Sequence, residues 1–244
     1  MDTTKFKEYT FTELKKIANN MNIGVRRSKT ETINDIIKEL REYEEYKINK
    51  LDKYKKIKQL GNRGKEGTTY LVKDVEGKEY AMKTFRKMKS SNTLKRECVL
   101  QKMAAKFGVA PEVISYDTVS KYIVMERMDI SLVDLMMKQK GNLLKYQQLQ
   151  ILEIFKKLDK AGVFHNDANI TNYMLKDKKI YMIDYGMSRK IDGILHKKLK
   201  TNTPNQDIML LGFILKLKEM KCPETSYKYL KPHISIEKIE KFSL

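Results

Sequence analysis

Between His165 and Gly186 the chain reads HNDANITNYMLKDKKIYMIDYG, and three side chains in that stretch could share one reaction. Asp167, Asn172 five positions later, and Asp184 after a short apolar run stand in the order that phosphoryl transfer needs. One carboxylate would orient a hydroxyl, while the carboxamide and the other carboxylate would hold magnesium. Lys179 to Ile183 reads as a short strand, so Asp184 would leave its end pointing into a cleft. A plain turn between two strands is the competing account, because Asn and Asp favour turns for purely local reasons.

The stretch resembles the protein-kinase superfamily. HNDANITN stands where that family has H-R-D-L-x-x-x-N, and DYG stands where it has D-F-G. The resemblance implies Asp167 as catalytic base, Asn172 and Asp184 as metal ligands, and His165 as the brace of the catalytic loop. Both motifs, in order and at the family's spacing, outweigh the turn account.

The elements upstream have the order such a site requires. Tyr54 to Leu60 and Thr68 to Val72 have strand-like content on either side of GNRGKEG, and Glu79 to Phe85 makes a third strand. In the family a strand, Gly-rich turn and strand cover the nucleotide phosphates, which implies ATP contacts at Gly61, Asn62, Gly64, Gly67 and Thr69. A flexible hairpin would have the same composition. Ala81-Met82-Lys83 lies at the distance kinases use between that loop and their lysine, so Lys83 is implied to contact the α- and β-phosphates. A helix over Asn92 to Lys106 carries Glu97, the implied partner of Lys83, with Glu112 as another acid nearby. Tyr122 to Met125 followed by ERMD resembles the hinge, with adenine bound by backbone groups of Glu126 and Met128, Met125 as gatekeeper, and Ala81 and Met174 above and below the ring.

Lys145 to Ala161 is a helix with Ile151, Ile154, Phe155 and Leu158 on one face, which is core scaffold leading into the catalytic loop. DIMLLGFILKL begins another apolar helix. Asp207 and Gly212 in it match the family's central helix, whose aspartate is expected to anchor the catalytic loop through backbone hydrogen bonds. The tail to Leu244 has room for two short helices.

A chain of 244 residues, 41% of them hydrophobic, can bury a full core and suggests one or two domains. It has no apolar run long enough to span a bilayer, and MDTTKFKEYTF has no secretory h-region. A protein of the cytosol or nucleus, or of the host cytoplasm or virion if viral, is expected. Cys98 and Cys222 are far apart and outside any Cys/His cluster, against a disulfide framework or structural zinc. The net charge of +19 and pI near 9.6 imply attraction to nucleic acid, acidic lipid or acidic substrates. Residues 1–50 hold 11 Lys and Arg against 9 Asp and Glu, so nearly all the excess lies in residues 51–244. Lysine filling solvated positions in a Lys-, Asn- and Ile-rich chain explains that excess equally well.

Residues 10–40 read as two short helices, one with Leu14, Ile17, Ala18 and Met21 on a face, the other with Ile33, Ile36, Ile37 and Leu40. Ser28 or Thr30 can cap the second helix. This pattern resembles the SAP family of DNA-binding modules, which implies weak, salt-sensitive DNA contact through Arg26, Arg27 and Lys29 beside a helix N-terminus. A helical pair that merely caps its neighbour is the alternative. Residues 41–53 are charged and lack Gly and Pro, as in a helical continuation or a solvated linker.

The expected organisation is therefore α+β: a SAP-like module over 1–45, a linker over 46–53, and a compact two-lobed protein-kinase-like domain over 54–244. Its N-lobe would be an antiparallel sheet with one helix, its C-lobe truncated and mainly helical. Asn166 replaces the arginine that reads a phosphorylated activation loop in many members, Asn169 stands where many Ser/Thr kinases have lysine, and no A-P-E motif follows Asp184. These departures resemble compact atypical kinases, such as the small kinase of the tRNA-threonylcarbamoyl complex and the short kinases of large DNA viruses. The expected activity is transfer of the γ-phosphoryl group of ATP to a Ser or Thr hydroxyl of a protein, with Mg2+ or Mn2+, by a monomer without membrane contact. A small-molecule phosphotransferase of the aminoglycoside or choline kinase type and a DNA-tethered pseudokinase scaffold are the alternatives.

Overall fold

The computed structural model describes residues 8–21, 23–25, 28–51, 53–61, 64 and 66–235, with only the backbone path for 42–51. The chain divides into two compact units, Met1–Lys55 and Lys56–Leu244. In the first, α1 (Phe11–Asn20) starts at a capping box: the Glu13 N–H donates to Thr10 Oγ1, and the Thr10 N–H donates to Glu13 Oε2 at 2.8 Å. Helix α2 (Lys29–Leu51) starts at Ser28, whose hydroxyl accepts from the Glu31 N–H. Leu14 and Ala18 of α1 bury against Ile36 of α2, with Ile17, Met21, Ile33 and Leu40 around them. The second helix is not short. Residues 41–51 have no helix-stopping Gly or Pro, and α2 continues through them for 23 residues in all. Of the residues expected to meet DNA, Arg26 and Arg27 lie outside the described residues, and Lys29 is the first residue of α2.

From the boundary onward, β1 (Lys55–Leu60), β2 (Gly67–Lys73), β3 (Glu79–Phe85), β4 (Val113–Asp117) and β5 (Tyr122–Glu126) form one sheet in the order β1-β2-β3-β5-β4. Strand β3 is central and antiparallel to both neighbours. It holds Tyr80, Ala81 and Met82 as a buried run, as a strand flanked on both sides should. Helix α3 (Ser91–Lys106) is capped by the Ser90 hydroxyl and covers the sheet through Leu94 and Cys98, which pack with Phe85, Val113 and Ile123.

The larger core is helical. Helices α4 (Leu132–Lys138) and α5 (Lys145–Lys160) pack with α6 (Gly193–Leu199) and α7 (Leu210–Glu219) around Phe155, Tyr173 and Phe213, whose rings meet edge to face. Three short pairings frame the loops: β6 (Ile130–Ser131) with β8 (Tyr173–Lys176), β8 with β9 (Lys179–Met182), and β7 (Val163–Phe164) with β10 (Arg189–Lys190). An antiparallel sheet with one helix above a mainly helical lobe is a two-lobed kinase-like fold. After α7 the described residues carry 3-10 turns, Glu224–Ser226 and Lys231–His233, where two short helices were expected. No described helix is long and apolar enough to cross a membrane, and both thiols are free.

Candidate active site

Strand β3 delivers Lys83 with its register set on both sides, opposite Thr69 of β2 and Ile123 of β5. Its ammonium lies 2.8 Å from Glu97 Oε1 of α3 and 2.7 Å from Asp184 Oδ1, while Glu112 makes no ion pair among the described residues. Burial alone would depress the Lys83 ammonium, but the two carboxylates outweigh it and hold the lysine charged above its ordinary range. For Asp184 burial alone would raise the carboxyl, and the neighbouring ammonium overcomes this and brings it below the usual range. Asp184 itself has φ +64° and ψ 76°, just beyond the end of β9.

The loop that carries Asp167 is braced through His165, which is fully buried. The imidazole Nε2 lies 3.0 Å from the Ile183 carbonyl, the His165 carbonyl accepts from the Ser188 hydroxyl at 3.1 Å, and the ring meets Tyr185 edge to face at 4.9 Å. Burial depresses the imidazole pKa, against the pull of the Ile183 carbonyl, so the ring is neutral and Nε2 carries the proton it donates. Asn166 follows with φ +64°, a left-handed conformation that Asn adopts more readily than most side chains, and its amide donates to the Met187 carbonyl. Asp167 is partly exposed, with Oδ1 accepting the Asn169 N–H at 3.1 Å. Asn172 is tied to this loop by its own N–H to Asn169 and to the approach of Asp184 by the Ile183 N–H, which donates to the Asn172 carbonyl at 2.8 Å.

The loop's anchor is Asn205, two residues before the aspartate expected to serve. The His165 N–H donates to Asn205 Oδ1 at 3.1 Å, and the Asn205 amide donates to the Val163 carbonyl and to Asp159 Oδ1. Asp207 instead accepts hydroxyl donors from Thr201 and Thr203. Gly212 lies close to the loop, since a Cβ there would stand 2.8 Å from the Ala168 methyl group. Asn205→Ala would leave a buried N–H and a buried carbonyl without partners, an expected destabilisation of about 3 kcal/mol in urea unfolding. Asn205→Asp should also destabilise, since it accepts from His165 but meets Asp159 with like charge. A loss under about 0.5 kcal/mol for both variants, the range of an uninvolved surface site, would remove Asn205 from this role.

At the cleft's upper edge Gly61 is exposed with φ +64°, and Gly64 donates its N–H to the Gly67 carbonyl at 2.9 Å, closing the hairpin tip. Asn62 lies outside the described residues. Gly67 is required by the strand pairing itself: a Cβ there would stand 2.0 Å from the Thr84 carbonyl. Ala81 pairs with Leu71 and Met125, and Met174 of β8 pairs with Ser131 and Tyr181. At the end of β5 the Glu126 N–H is spent on the Glu112 carbonyl and its side chain on Lys176, whereas the Met128 N–H has no acceptor among the described residues. That leaves a backbone donor at the position adenine would require.

Asn172 donates through Nδ2 to the Asp167 carbonyl, and Asp184 uses Oδ1 for Lys83 and the Gly186 N–H. Asn172 Oδ1 and Asp184 Oδ2 therefore have no donor among the described residues. Two free hard oxygens suit Mg2+, which binds few protein ligands and keeps the rest of its shell as water and phosphate. The donor set fits the metal.

The sequence pattern of the protein kinase domain matches residues 54–205. The chain belongs to the protein kinase family. Among curated proteins it is similar to the KEOPS complex subunit Bud32 of Pyrococcus abyssi, 32% identical over 114 residues, 44% of this chain and 50% of that protein. It is also similar to a probable bifunctional tRNA threonylcarbamoyladenosine biosynthesis protein of Methanocorpusculum labreanum, 28% identical over 120 residues, 46% of this chain and 22% of that protein. The matched stretch is thus half or less of either relative.

Proposed function

We propose that this kinase transfers the γ-phosphoryl group of Mg-ATP to a Ser or Thr hydroxyl of a protein. The observation that carries the reading is the Lys83–Glu97–Asp184 ion triad, made of residues 14 and 101 positions apart in sequence. Bound magnesium would offset charge on the phosphates. In the proposed roles Lys83 binds the α- and β-phosphates, Asn172 and Asp184 offer metal oxygens, and Asp167 orients the acceptor hydroxyl and takes its proton.

The described segment after Asp184 exposes Arg189, Lys190, Lys197, Lys198 and Lys200, which supports an acidic polypeptide acceptor. The Pyrococcus relative is named as a complex subunit, which supports action with a protein partner rather than as an isolated monomer. The Asn166 amide is engaged by the Met187 carbonyl and is neutral, so no phosphorylated activation loop is needed. Radiolabelled ATP supplied to phosphatase-treated and untreated protein, with casein, choline and an aminoglycoside in separate reactions, tests the proposal. Equal labelling of casein on Ser or Thr by both preparations is expected. Label confined to a small molecule would overturn the protein-kinase reading.

A further inference from the structure

A second lysine reaches the buried end of the triad. Lys89 lies on the connection between β3 and α3, where its N–H closes a turn onto the Arg86 carbonyl. Its side chain is only 7% exposed. The ammonium lies 2.6 Å from Glu97 Oε2 and 2.6 Å from Glu66 Oε2, so Glu97, 2% exposed, gives one oxygen to each lysine. Both ammoniums lie over the Phe85 ring, Lys83 Nζ 5.0 Å and Lys89 Nζ 4.5 Å from its centroid.

Glu66 belongs to the tip of the Gly-rich hairpin. Its carbonyl accepts the Arg86 N–H at 2.9 Å, and its carboxylate oxygen stands 2.8 Å from where a Cβ on Gly186 would be. Glu66 is therefore down on the segment that follows Asp184. Lys89 joins three parts that must agree for phosphoryl transfer: the loop over the phosphates, the α3 carboxylate and, through Glu97 and Lys83, Asp184. A surface lysine in so basic a chain would need no explanation. A desolvated ammonium shared by two carboxylates does, because such a charge stays buried only while it is paired.

We propose that Lys89 is a positioning residue that clamps Glu66, at the β2 end of the Gly-rich loop, and Glu97 of α3 into one arrangement beside the nucleotide phosphates. The inference rests on reading the cleft as an ATP site. Charge gives it a direction. Glu66, Glu97 and Asp184 carry three negative charges within a few ångströms against two ammoniums. Without Lys89, Glu66 would face the incoming triphosphate unneutralised and would lose its tether.

The test uses the full chain, the fluorescent nucleotide mant-ADP with magnesium, and steady-state kinetics with ATP. Lys89→Met is expected to release nucleotide about tenfold faster and to raise KM for ATP about tenfold, while kcat falls less than about threefold. Lys89→Arg should restore both to within about twofold, because a guanidinium can bridge the same two carboxylates. Glu66→Gln, at a half-exposed loop position where folding is not at stake, should speed release about threefold in the parent and no further in Lys89→Met, since the two act through one contact.

Release from Lys89→Met within about twofold of the parent would overturn the clamp, as would equal factors for Glu66→Gln in both backgrounds. A parent chain that binds no mant-ADP would sink the ATP reading along with it. A parent that binds, with variants that release at its rate, would sink the clamp alone.

Discussion

Asp167→Asn is expected to bind Mg-ATP as tightly as the parent and to turn it over about a thousandfold more slowly, the middle of the range for a positioned general base. The separation of binding from turnover follows from the contacts. Asp167 makes no ion pair with Lys83 among the described residues, and its Oδ1 accepts only the Asn169 N–H. An asparagine oxygen can keep that hydrogen bond, so the loop, braced independently by His165 and Asn205, should hold its shape. What asparagine cannot do is take a proton from the acceptor hydroxyl. Isothermal titration with Mg-ATP and single-turnover transfer to casein measure the two halves separately. Transfer at the parent rate would show that another group acts as the base. Loss of binding in parallel with turnover would place Asp167 in the nucleotide site instead.

What could be read in the sequence, and what could not, divides along a physical line. Lys83, Glu97, Asp167, Asn172 and Asp184 stand in motifs whose order and spacing carry the kinase resemblance, and the structure draws Lys83, Glu97 and Asp184 together at 2.7–2.8 Å. Asn205 was hidden by backbone geometry. The motif match pointed to Asp207, but the turn Asn205–Met209 is π-helical, and from its start it is Asn205 that reaches the His165 N–H and the Val163 carbonyl. Lys89 and Glu66 were hidden by composition: in a chain with 50 Lys and Arg, nothing local separates a buried bridging lysine from a solvated one. The length of α2 was ambiguous for a related reason. Charged residues without Gly or Pro suit both an extended helix and a linker, and only the path of the backbone separates them.

Asp184→Asn should abolish the magnesium dependence of nucleotide binding, weakening Mg-ATP by about a hundredfold while leaving metal-free ATP little changed. In the parent the Asp184 carboxyl is held below the ordinary carboxylate range, because the charge of Lys83 exceeds the opposing effect of burial. It is therefore ionised throughout the neutral range and offers Oδ2 as an anionic oxygen. Asparagine keeps the shape, and its oxygen can still accept from Lys83. A neutral amide is nevertheless a much weaker partner for a divalent cation than a carboxylate. The same substitution removes one negative charge facing the triphosphate, which offsets part of whatever ATP loses through the altered Lys83 contact when no metal is present. The two effects have opposite signs, so titrations of ATP in excess EDTA and in excess magnesium should converge in the variant while remaining far apart in the parent. If the variant kept the parent's difference between the two conditions, Asp184 would not be a metal ligand and its role would reduce to the ion pair with Lys83. Because Lys83 retains Glu97 at 2.8 Å in either case, the lobe should stay folded and the comparison should report the metal site rather than a general loss of structure.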